Sequence, residues 1–174
     1  MYTSLAFLFL LSALQQPDFE DVTRFSIRIQ TTEFSAQTGV HDTCMLVKED
    51  HSIHIEKAYS GITGGMQSRV FEGALDDQTF SQLRSILDAE AFKNLNLPPK
   101  PAHISRDTMY LVSLNEKGRH QTFTFEEMLE NKQNREAMKP LQKWIKETLK
   151  KKFPELKKIT GNQCMPQWLG TKTQ

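Results

Sequence analysis

Arg24 to Gln30 reads RFSIRIQ, with Phe25, Ile27 and Ile29 separated by Arg24, Ser26, Arg28 and Gln30. Strict alternation is the period of a strand with one buried face. A chain with such a strand must supply further strands and something apolar to cover them. Thr43 to Lys48 and Ser52 to Tyr59 are the next candidates, joined by the polar Glu49-Asp50-His51, short enough for a hairpin turn. In the second of these, Ile53 and Ile55 are expected to face the core, with His54 and Glu56 outside. Ser68 to Ala74 reads as a further strand after a loop at Gly61 to Gly65. Asp107 to Leu114 and Arg119 to Phe125 form a second hairpin around Asn115-Glu116-Lys117-Gly118.

Two segments have helical period. Asp76 is placed to cap the first by accepting from the backbone N–H of Gln78 or Thr79. Leu75 and Phe80 have the spacing of a hydrophobic staple. Phe80, Leu83, Ile86 and Leu87 then share one face as far as about Ala89. The second helix is expected between Asn134 and Lys152, with Met138, Leu141, Ile145 and Leu149 as its stripe and Trp144 beside it. Pro140 suits the first helical position better than an interior one, which puts the regular helix near Lys139. Pro154 is expected to end it. Between the helices, Asn94 to Pro101 reads as an extended surface connection. The order predicts a single α+β domain over residues 15–174, an antiparallel sheet of about five strands packed against two helices, with a C-terminal tail. The strand order is not readable from this pattern.

The 174 residues carry 22 Lys+Arg and 21 Asp+Glu, a net charge of +1, so no overall field holds nucleic acid. The exception is Lys139 to Lys158, where Lys139, Lys143, Lys146, Lys150, Lys151, Lys152, Lys157 and Lys158 face only Glu147 and Glu155. A lysine face opposite an apolar stripe can serve a membrane or a nucleic acid. Lysine rather than arginine, with no interleaved exposed aromatics, favours a solvated outer face.

Met1 to Leu14 has an apolar run from Leu5 to Leu11 followed by Ser12 and Ala13, the pattern of a signal peptide and its cleavage zone. No Lys or Arg precedes the run, and Leu11 would occupy a cleavage position that is usually small. The run is too short for a membrane span. Residues 1–14 are therefore expected to be a signal, and the mature chain to be exported to the periplasm or outside the cell. There Cys44 and Cys164 would pair; in a reducing compartment they would be two separate buried thiols.

Tests for chemistry come out against each common centre. His41, Cys44, His51 and His54 lack the spacing of a zinc site, and a hairpin puts His51 and His54 on different faces or one of them in the turn. Cys44 with His41 or His54 would need an activated thiolate, which pairing removes. G-x-S-x-G, S-x-x-K and phosphate-binding glycine motifs are absent. Glu126, Glu127 and Glu130 read as a solvated turn or short helix. No cofactor or metal is implied. If the chain is an enzyme, His54, Glu56 and Asp107 are the residues around which a cleft would have to form.

HDTCMLVKEDHSIHIEK (His41 to Lys57), RVFEGALDDQTFSQLRSILDAEAF (Arg69 to Phe92), KPLQKWIK (Lys139 to Lys146) and NQC (Asn162 to Cys164) resemble segments of uncharacterised small exported bacterial proteins with two cysteines. The resemblance covers about four-fifths of the chain, and its motifs are turns, apolar faces and the cysteines. It implies export and a Cys44–Cys164 disulfide. It carries no activity and no functional residue. Taken together, these readings favour a non-enzymatic module that binds a protein or an envelope component. An unrecognised enzyme and a structural envelope protein are the competing readings.

Overall fold

The computed structural model describes residues 24–35, 39–61, 66–95, 97, 108–157 and 164. The expected signal, Asp107, the loop glycines after Gly61 and the tail apart from Cys164 lie outside the described residues. The chain runs β1 (Ser26–Ser35), β2 (Gly39–Lys48), β3 (Ser52–Ser60), β4 (Met66–Ala74), α1 (Asp77–Asp88), α2 (Glu90–Lys93), β5 (Met109–Glu116), β6 (Arg119–Glu126) and α3 (Lys132–Thr148). The sheet is antiparallel throughout, in the order β4-β3-β2-β1-β5-β6. The architecture is α+β with one sheet. The sheet holds six strands rather than about five, because every segment with strand character joins it.

Register decides which side chains share a face. Ile27 sits opposite Val47 and Leu114, and Ile29 opposite Met45 and Val112. With Ile53, Ile55, Phe123 and Phe125 they pave the face that the helices cover. Leu83 and Leu87 of α1, Phe92 of α2, and Met138, Leu141 and Ile145 of α3 complete the same core. Burying each such side chain contributes about 1.5–3 kcal/mol relative to leaving it in water. Trp144 joins the helices to one another: its indole N–H donates to the Thr79 carbonyl at 3.0 Å.

The local signals of α1 are met. The Asp76 carboxylate accepts from the Thr79 backbone N–H at 2.7 Å and from the Thr79 hydroxyl at 3.0 Å. The Lys151 ammonium donates to the same carboxylate at 2.6 Å. Lys151 first, then the Thr79 backbone and hydroxyl, hold the Asp76 carboxyl below the usual carboxylate range. Phe80 packs edge-on against Phe25, with ring centres 5.6 Å apart. In the second hairpin, Gly118 takes φ 75°, the left-handed turn position that a residue with a side chain adopts at a cost.

Three expectations are corrected. The last helix begins at Lys132, not near Lys139, and ends at Thr148, well before Pro154. Asn131 caps it by accepting from the Asn134 N–H at 2.9 Å. Pro140 lies inside the helix on its exposed side, where the carbonyl deprived of a donor can turn to water. Leu95 and Leu97, placed on a surface connection by their neighbouring prolines, are buried in the core. After α3 the chain turns back along the outer side of β4: the Glu72 N–H donates to the Pro154 carbonyl at 3.1 Å, and the Leu156 N–H to the Val70 carbonyl at 2.9 Å.

Candidate functional site

The face of the sheet away from the helices carries the sequence-predicted polar residues. Residues two apart on a strand share a face, and the pairing sets Leu46 beside His54 beside Glu72, and Cys44 beside Glu56 beside Val70. His54 lies between two carboxylates, with Nε2 2.8 Å from Glu56 Oε1 and Nδ1 3.0 Å from Glu72 Oε1. A carboxylate only accepts, so meeting both contacts takes a hydrogen on each ring nitrogen or one carboxyl that carries the proton. Cys44 and Cys164 are disulfide-bonded, with their Cα atoms 5.7 Å apart. The Cys164 backbone N–H donates to Glu56 Oε1 at 3.0 Å.

His54 and Glu56 are therefore not outside, as the alternation with Ile53 and Ile55 suggested. They are 8% and 4% exposed. The period correctly sends them to the opposite face; the partners they meet there, Glu72 beside His54 and Cys164 at Glu56, are what alternation could not reveal. Glu72 and Cys164 were not anticipated as their partners, since both arrive through long-range pairing.

The remaining candidates scatter. The His41 ring packs on Tyr59, with centres 4.8 Å apart. His51 occupies the β2–β3 turn at φ 65°, stacked 4.0 Å from Phe80. With Cys44 oxidised, thiolate chemistry there is closed. No group of three or more metal-ligating side chains converges among the described residues. Glu126 and Glu130 are buried rather than solvated, while Glu127 is exposed. The reason is that β6 runs on through Glu126, and Glu130 accepts from the Asn134 side chain at 3.0 Å beneath the start of α3. Asp42 lies across from Thr32, whose hydroxyl donates to it at 2.6 Å. Burial pushes the Asp42 carboxyl up, against the opposing pull of Thr32 and His41.

A cleft of about 370 Å³ opens on the helix side of the sheet, where α3 stops short of the ends of β3 and β4. Its apolar floor is Ile55, Phe71, Leu149 and Phe153. Lys57, Arg69, Lys151 and Lys152 bring positive charge to its rim, against the single carboxylate of Glu155. Lys57 and Arg69 face each other across β3 and β4, and both lie over the Phe71 ring, at 5.5 and 5.3 Å. The Arg69 guanidinium grips Glu155 with two hydrogen bonds, one from Nε at 2.9 Å. This pairing lowers the Glu155 carboxyl and raises the guanidinium. Phe153 leans on Gly73 so closely that a Cβ there would fall 2.7 Å from its ring. Glycine is what lets the ring form the cleft wall. Elsewhere on the lysine-rich stretch the charges are locally paired or solvated, as in Lys139–Glu136 at 2.6 Å and Lys143–Glu147 at 3.8 Å. The cleft combines residues from β3, β4, the end of α3 and the returning segment. Sequence reading missed it because no short motif spans those four pieces.

No helix among the described residues is long and apolar enough to cross a membrane. Comparison with protein-family models finds no match, and comparison with curated protein sequences finds none either.

Proposed function

We propose that this chain is an exported, disulfide-stapled bacterial domain whose role is to bind a protein or an envelope component rather than to catalyse a reaction. The observation that carries the reading is the commitment of Glu56. The carboxylate best placed for acid–base work receives the Cys164 backbone N–H and contacts His54, so it serves to hold Cys164 in place. A general base needs its reacting proton within hydrogen-bond reach in an accessible site, and this carboxylate is buried. The cleft, by contrast, is lined by cations and apolar side chains and by no serine, cysteine or histidine among the described residues. That composition suits holding a ligand. A disulfide closing a separation of 120 residues supports an oxidising compartment.

The test is the intact mass of the protein from the extracytoplasmic fraction of its native host, alkylated with and without prior reduction. The expected result is a chain beginning near residue 14 or 15 whose two thiols react only after reduction. A full-length chain with two free thiols would overturn the reading and return Cys44 to consideration as a redox residue.

A further inference from the structure

We infer that the cleft beside Phe71 and Phe153 binds an anionic amphiphile: a short apolar chain or ring carrying a phosphate or carboxylate group. The inference rests on the binding-module reading above and gives it a ligand class. The size fits, since small-molecule sites begin at roughly 300 Å³. The chemistry is divided in the way such a ligand requires. Phe71, Leu149 and Phe153 provide apolar walls that water alone satisfies poorly. At the rim, Arg69 is held by Glu155, and Lys151 is held by Asp76. Lys57 and Lys152 have no ion-pair partner among the described residues, and both are exposed. Two uncompensated ammonium groups over an aromatic and aliphatic floor complement one anionic head and one apolar body. A cationic ligand meets repulsion at the same rim, and an uncharged one leaves both ammonium groups unused. The alternative, a solvated corner of the sheet, predicts no selectivity of this kind.

The experiment is isothermal titration of the purified, oxidised full chain with octyl phosphate below its micelle concentration. Inorganic phosphate and octyltrimethylammonium serve as matched probes that lack the tail or reverse the charge. Octyl phosphate is expected to bind one per chain, with inorganic phosphate about tenfold weaker or worse and the cationic amphiphile not bound. The Lys57→Gln/Lys152→Gln variant is expected to lose about tenfold in affinity for octyl phosphate while still melting cooperatively. Both lysines are exposed, and the Lys57 contact with the Phe71 ring is a surface one, so the melt is expected to move little. Equal binding of inorganic phosphate or the cationic amphiphile, or unchanged affinity in the variant, would overturn the inference. Co-sedimentation with phosphatidylglycerol vesicles, compared between the native chain and the variant, assigns the source. Lysine-dependent sedimentation identifies a bilayer lipid, and solution binding alone a free amphiphile. Failure here leaves the mass and thiol experiment untouched, so the two failures are told apart.

Discussion

The two faces of the sheet are built on different physics. The helix-covered face is closed by many apolar side chains, from Ile27 and Ile29 at the centre to Phe123 and Phe125 toward one side. Its opposite buries Ser26, Gln30, His54, Glu56 and Thr124, with a small apolar cluster of Cys44, Leu46 and Cys164. Apolar contacts are non-directional and share their load. A polar face depends on particular bonds, and each one lost leaves a buried group unsatisfied. On that face the Gln30 side-chain oxygen has no hydrogen-bond partner among the described residues. The first face is thus expected to be graded in its response to mutation, and the second to hinge on one cross-link.

The largest way to break the comparison is to remove that cross-link. Cys44→Ser with Cys164→Ser frees a closed loop of 120 residues of separation, which costs about 4–5 kcal/mol in the chain-entropy account. Urea unfolding measures it, and the near-UV signal of Trp144 is expected to persist at zero denaturant because the helix face remains packed. A loss below about 1 kcal/mol would show that the second face does not rely on the bond. Next in size is Leu141→Ala. Leu141 is fully buried in the helix-face core, and the change is expected to cost about 3 kcal/mol, with Leu46→Ala costing less because its cluster is smaller. The reverse order in denaturant midpoints would refute the contrast between the two faces.

Glu56→Ala leaves the Cys164 N–H without its acceptor, for an expected loss of about 1–3 kcal/mol. Glu56→Gln keeps an acceptor and is expected to recover most of it. If both variants lose equally, the negative charge rather than the hydrogen bond holds Cys164. The smallest effect is at Asp42. Its carboxyl is raised in the fold by burial, so the native state holds the proton more tightly than the unfolded chain does. Stability is then greater below the usual carboxylate range and falls as pH rises through the raised value. Asp42→Asn keeps an acceptor for Thr32 and is expected to gain on the order of 0.5 kcal/mol at neutral pH and nothing at acid pH. Thermal melts at both pH values test it.

Most of the framework was legible in the sequence because its signals are local. The alternation of Phe25, Ile27 and Ile29, the Asp76 cap and the turn ending in Gly118 each report on neighbours within a few residues. The same period put His54 and Glu56 on one side of β3. Their burial was not legible, because the partners that meet them, Glu72 on β4 for His54 and the Cys164 N–H for Glu56, come from distant parts of the chain. The start of α3 was hidden by a polar opening turn and by Pro140, whose exposed position makes it tolerable where the general rule discourages it. The central pairing of β1 with β5 follows from a crossover through α1 and α2, for which no residue pattern speaks. The cleft was the least visible of all, being assembled from four pieces that meet only in the fold.

The return of Pro154 to Leu156 along β4 has a consequence for how the protein behaves in a crowd. A sheet's outermost strand offers unpaired backbone groups on which another copy can template. Here part of that row is already taken by the chain's own backbone. The same three residues carry Glu155, which clasps Arg69, and follow Phe153, which walls the cleft. Truncation before Phe153 would therefore uncover a nucleus for intermolecular growth and dismantle a cleft wall in one cut. Any occupant that pins Phe153 would, by mass action, also restrain self-association.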